Sequence, residues 1–129
     1  MNLSDAQQRA VERTGQDVCV VAGPGSGKTR VLIERFAWLV EQCNTEPTRI
    51  LAITFTEKAA TEIKKRLIER FAARPDLREA IERAWVSTID GFCTRVLREN
   101  AIAAGLAPDF AVLEQGGADL LEREARKRR

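Results

Sequence analysis

The chain has 129 residues, 21 basic and 19 acidic side chains and a formal charge of +2. That length bounds it to one domain with room for a core, and plentiful charge of both signs with ordinary apolar content marks a soluble globular chain. The net charge is too small to argue for nucleic-acid binding by itself, no signal or long apolar run points to secretion or a membrane, and the lack of histidine excludes His-based triads and His-containing zinc sites within these residues.

In chain order, Ser4 can cap a short helix from about Asp5 to Arg13. Asp17 to Ala22 reads as a buried strand, with Cys19 as core filling. The string AGPGSGKT follows, from Ala22 through Gly23, Pro24, Gly25, Ser26, Gly27 and Lys28 to Thr29, and leads into a helix reaching Gln42. Strand, Gly-rich loop and helix form the setting of a phosphate-binding P-loop. The glycines let successive backbone N–H groups turn inward on an anion, and the helix adds the positive end of its dipole. Lys28 would reach the β/γ-phosphates and the Thr29 hydroxyl would hold Mg²⁺. Ala22 stands where the strict pattern has glycine. The plainer alternative is a glycine loop that only joins a strand to a helix.

Beyond the turn at Asn44 to Pro47, Arg49 to Thr54 is a second apolar strand. Thr56 caps a helix reaching about Ala73, with an inward stripe of Ala60, Ile63, Leu67 and Phe71. Arg74-Pro75-Asp76 breaks it, and a short helix runs to Arg83. Trp85 to Thr88 is a brief strand, Ile89 to Ala104 a helix ended by Gly105, and Phe110 to Leu113 a fourth strand. Gly116-Gly117 opens a charged helix running to Arg129. Alternating strands and helices predict an α/β fold whose parallel sheet has helices on both faces. Cys19, Cys43 and Cys93 are odd in number and far apart, which fits reduced thiols in a cytoplasmic protein.

Four segments occur in a telling order: LSDAQQRAV (Leu3 to Val11), AGPGSGKTRVL, AITFTEKAATEIKKRL (Ala52 to Leu67) and VSTIDGFCTRVLR (Val86 to Arg98). Together they resemble the first motifs of superfamily 1 DNA helicases of the UvrD/Rep type. Glu-Lys-Ala-Ala and Ser-Thr-Ile-Asp-Gly-Phe-Cys look closest to the RecB/AddA helicase-nuclease branch. The resemblance implies a RecA-like P-loop NTPase fold, ATP and Mg²⁺ as cofactors, single-stranded DNA as partner, and a role in double-strand break repair or recombination. A second helicase-nuclease subunit is a further implied partner.

The resemblance also assigns residues. Gln7 matches the glutamine that reads the adenine edge, for which an amide offers donors and an acceptor; a surface glutamine on a capped helix is its bland alternative. Arg30 matches an arginine that packs against the nucleotide, where a planar guanidinium suits stacking. Thr54, Phe55 and Thr56 match the motif that meets single-stranded DNA, hydroxyls for phosphates and an aromatic face for a base. From its own surroundings Phe55 would be a core residue, because it ends an apolar strand. Ser87 and Thr88 match the next backbone contact, whereas Asp90 would repel phosphate. Most charges among Lys58, Lys64, Lys65 and Arg66 read as a solvated, salt-bridged face.

Turnover needs a carboxylate pair at the end of an apolar strand. The nearest stretch, Ala111 to Gln115, has one acid, Glu114, beside an amide. The coupling and arginine-finger motifs and the second RecA-like domain of such helicases have no counterpart either. The expectation is the N-terminal part of a first RecA-like motor domain, residues 1–129, incomplete, with one side of its sheet uncovered and the isolated chain inactive. The alternative is a nucleotide-binding module that works without turnover; an unrelated P-loop enzyme such as a small-molecule kinase has no reason to carry the Gln7 and Thr-Phe-Thr motifs.

Overall fold

The computed structural model describes residues 3–113 and 115–127. The chain divides into two units, Met1–Ile89 and Asp90–Arg129. The first holds α1 (Asp5–Glu12), α2 (Lys28–Glu41), a 3-10 turn (Pro47–Arg49), β1 (Leu51–Thr54), α3 (Glu57–Arg70), α4 (Pro75–Glu82) and β2 (Trp85–Thr88).

Local chemistry sets these boundaries. Ser4 closes a capping box on α1: its hydroxyl accepts from the Gln7 N–H, and the Gln7 side chain accepts from the Ser4 N–H. Thr56 caps α3 by accepting from the Ala59 N–H at 3.1 Å. Pro75 opens α4, where its missing N–H costs nothing. The stripe Ala60, Ile63, Leu67 and Phe71 is buried as its spacing requires, and Leu67 is wholly enclosed. Ile63, Leu67 and Phe71 pack with Ile33, Phe36, Ala37 and Val40 of α2, with Ala52 of β1, and with Ile81, Ala84 and Val86 around the crossover and β2. On the outer face of α3, Glu62 pairs with Arg66, and Lys65 with Glu69 at 3.9 Å, so those charges lie on a solvated surface. Arg70 leaves that face and reaches Glu41 on α2, with bonds of 3.1 and 3.3 Å.

β1 and β2 run parallel, with Leu51 opposite Trp85 and Thr54 opposite Thr88. They are the only strands among the described residues, which corrects two expectations. Asp17 to Ala22 and Phe110 to Leu113 are not strands. A strand needs a neighbour for its backbone N–H and C=O groups, and neither run has a ladder partner here. Val21 is accordingly 93% exposed. One face of the sheet is covered and the other is not: Ala52 and Val86 are buried, but Leu51 and Ile53 of β1 are 48% and 43% exposed.

The second unit carries α5 (Ile89–Glu99, whose first residue closes the first unit) and α6 (Gln115–Lys127). α5 stops five residues before the expected Ala104. The Asn100 side chain donates to the Val96 carbonyl at 2.9 Å, a local competitor to continued helix. A series of turns then ends at Gly105, at φ +69°. Within this unit the Arg98 guanidinium lies 5.7 Å from the Phe110 ring centre. Glu114 and the helix end expected at Arg129 lie outside the described residues.

Candidate functional site

The Gly-rich loop leads directly into α2, but the strand expected before it is absent. Gly25 (φ +73°) and Gly27 (φ +82°) adopt left-handed backbone, which other residues enter only at a cost. Gly27 is the residue immediately before α2, so Lys28 and Thr29 occupy its first two helical positions. The Ser26 hydroxyl donates to the Gly23 carbonyl at 2.6 Å and tightens the turn. Lys28 Nζ donates to the carbonyls of Ala22 (3.0 Å) and Gly23 (2.8 Å). An ammonium has three N–H donors, so one remains for an anion.

Gln7 reaches this loop from α1. Its Nε2 donates to the Ser26 carbonyl at 3.0 Å, while its Oε1 accepts from the Ser4 N–H at 2.9 Å. The amide keeps a second N–H and a second lone pair, the minimum for reading an adenine edge. The approach is tight: a Cβ on Gly27 would lie 3.1 Å from Gln7 Nε2. The φ of +82° favours glycine there, and a Cβ would in addition press on the Gln7 amide.

The donor set fits a nucleoside triphosphate with Mg²⁺. The Lys28 ammonium at the N-terminus of α2 suits phosphate oxygens, and the Thr29 hydroxyl is a hard oxygen of the kind Mg²⁺ takes. Among the described residues there is no cluster of His, Cys, Asp or Glu that could bind a metal alone. Arg30 is half-buried on the first turn of α2.

A second group of residues lies at the carboxyl ends of the paired strands, where ligands bind in open α/β sheets. Phe55 follows β1 and is fully exposed (105%). Its place after an apolar strand argued for the core, but the chain turns out at that point. The Thr54 hydroxyl donates to the Thr56 carbonyl at 2.9 Å. The Thr56 hydroxyl oxygen serves the helix cap and keeps its own proton. Thr88 is buried, and its hydroxyl donates to Glu57 Oε1 at 2.6 Å, tying the end of β2 to the start of α3. The Ser87 Oγ is buried without a partner among the described residues.

Sequence reasoning gave no part to Glu57 or to Arg35. Arg35 Nη1 lies 3.0, 3.0 and 2.9 Å from the carbonyls of Ala10, Val11 and Arg13. Both residues act across long sequence separations, and nothing in their spacing marks them.

Residues 3–129 match the model of the UvrD/REP helicase N-terminal domain, and the chain belongs to that family. It is 45% identical over 113 residues to the ATP-dependent DNA helicase PcrA of Leuconostoc citreum, covering 87% of this chain and 14% of that relative. It is 39% identical over 113 residues to DNA helicase II of Salmonella typhimurium and of Escherichia coli, covering 88% of this chain and 15% of each. The chain thus spans about one seventh of the length of the relatives it matches.

Proposed function

We propose that the chain is the ATP-binding front of an ATP-dependent DNA helicase that moves on single-stranded DNA, residues 1–129 forming the N-terminal part of its first RecA-like motor domain. The observation that carries this reading is the meeting of Gln7, Lys28 and the left-handed glycines at one helix N-terminus. Backbone N–H groups of Gly23, Gly25, Ser26 and Gly27 cradle the phosphates, and Lys28 supplies the fixed cation. Thr29 holds Mg²⁺, whose chemistry when bound is to neutralise phosphate charge. Gln7 reads the adenine edge and Arg30 packs on the nucleotide.

For DNA, Phe55 offers a whole ring face to a base and Thr56 a hydroxyl proton to a phosphate. Thr54 and Thr88 spend their protons on the Thr56 carbonyl and Glu57, holding the turns that present this edge, while the Ser87 hydroxyl, without a partner among the described residues, stays available as the next backbone contact. Glu-Lys-Ala-Ala from Glu57 and the segment from Ser87 to Cys93 support placement in the RecB/AddA branch. With that branch come double-strand break repair, a helicase-nuclease partner subunit and a cytoplasmic location. No described helix is long and apolar enough to cross a membrane.

A second reading, a nucleotide-binding module without turnover, applies only to a protein whose full length is these 129 residues, which carry no carboxylate pair after an apolar strand. Both readings require ATP at the loop. Titration of MgATP onto wild type and Lys28→Ala tests them together: the variant loses ATP binding, because the β/γ-phosphates lose their cation. Equal affinity in the two would remove the loop from nucleotide binding.

A further inference from the structure

α1 has eight residues, too few for a helix to persist alone in water. Its N-terminus is closed by the capping box, and there Gln7 reaches the loop. Its C-terminal carbonyls are the problem, since the last turn of a helix has no donors of its own. Arg35 supplies two, shared among three acceptors: its Nη1 amino group lies within 3.0 Å of the Ala10, Val11 and Arg13 carbonyls. Its charge also faces the negative end of the α1 dipole.

Arg35 stands seven residues after Lys28 on the same helix, so two turns of α2 carry the loop lysine and the clamp on one face. Between them Val31 is buried, as is Val11, the one buried residue of α1. α2 therefore fixes α1 at its far end while the loop meets Gln7 at the near end.

We infer that Arg35 is a positioning residue for adenine recognition, holding α1 on α2 so that Gln7 stays in register with the loop. The inference rests on the nucleotide reading above. Arg35 touches no ligand in this role; it sets the fraction of molecules whose Gln7 is placed to bind. If its loss leaves α1 docked about one tenth of the time, apparent affinity falls about tenfold.

The test uses the full chain and the variants Arg35→Met, Arg35→Lys, Gln7→Ala and the Arg35→Met/Gln7→Ala double variant. MgATP and inorganic tripolyphosphate, which has no adenine, are titrated separately, and backbone amide exchange is followed without ligand. Arg35→Met should speed exchange over residues 5–13 while α3 stays protected. It should weaken MgATP about tenfold, leave tripolyphosphate unchanged, and add no further loss in the Gln7→Ala background. Arg35→Lys keeps a cation at the helix end and should fall between wild type and Arg35→Met; it carries the test if Arg35→Met does not fold. Equal weakening of MgATP and tripolyphosphate would overturn the inference, as would losses that multiply in the double variant. Wild-type affinity for MgATP in a variant whose α1 exchanges fast would overturn it too, with the nucleotide reading intact. A wild-type chain that binds neither compound would overturn both.

Discussion

Phe55 shows how a single side chain can reverse its environment in one step along the backbone. Thr54 is the last residue of β1 and Thr56 is already the cap of α3, so the residue between them is thrown outward. A ring held outside the core makes a clean probe of the proposed DNA edge. Phe55→Ala should weaken single-strand binding by about 1–3 kcal/mol, the worth of one base–aromatic stack. The slope of affinity against salt should stay constant, because no phosphate contact is lost. Fluorescence anisotropy of a labelled oligonucleotide at several salt concentrations measures both, and unchanged affinity at every salt would remove Phe55 from the interface. Melting temperature should not move, since the ring contributes no burial.

At the scale of elements, α3 organises the first unit. One face carries paired charges in water, and the other fills the space between α2, α4 and the two strands. Leu67→Ala should cost about 2–5 kcal/mol, because a wholly enclosed side chain leaves a cavity that its neighbours cannot fill. Urea unfolding measures this, and a loss below about 1 kcal/mol would show that the core closes around the gap. α1 to α4 and β2 were legible in sequence to within a few residues because their signals are local: Ser4 and Thr56 as caps, Pro75 as a breaker, the stripe of Ala60, Ile63, Leu67 and Phe71. The runs Asp17 to Ala22 and Phe110 to Leu113 have strand-like sequence without being strands, because a strand depends on a neighbour that can lie anywhere in the chain. The same division holds within the site. Left-handed glycines before a Lys-Thr helix start are written in adjacent residues. The Arg35 clamp on α1 and the Glu57–Thr88 tie join residues 22 to 31 positions apart, and periodicity carries no trace of them.

For the molecule as a whole, family membership and loop geometry point to nucleotide binding, while residues 1–129 offer no acid pair to orient a water. The chain alone should therefore release phosphate only at a residual rate, with or without single-stranded DNA. An arginine finger by itself is worth roughly 10³–10⁵ in rate in P-loop systems. Steady-state phosphate release at saturating MgATP, against Lys28→Ala, checks this. Sustained turnover near one per second, absent in the variant, would be ordinary enzyme activity and would mean a carboxylate within these residues does the work. The central claim, that ATP sits on the Ala22–Thr29 loop with its base toward α1, is tested most directly by amide chemical shifts recorded as MgATP is added. The account predicts the largest changes at the Gly23, Gly25, Ser26, Gly27, Lys28 and Thr29 amides and at the Gln7 side-chain amide. Shifts confined instead to the groove lined by Asn44, Thr45, Glu46 and Arg74 would contradict it.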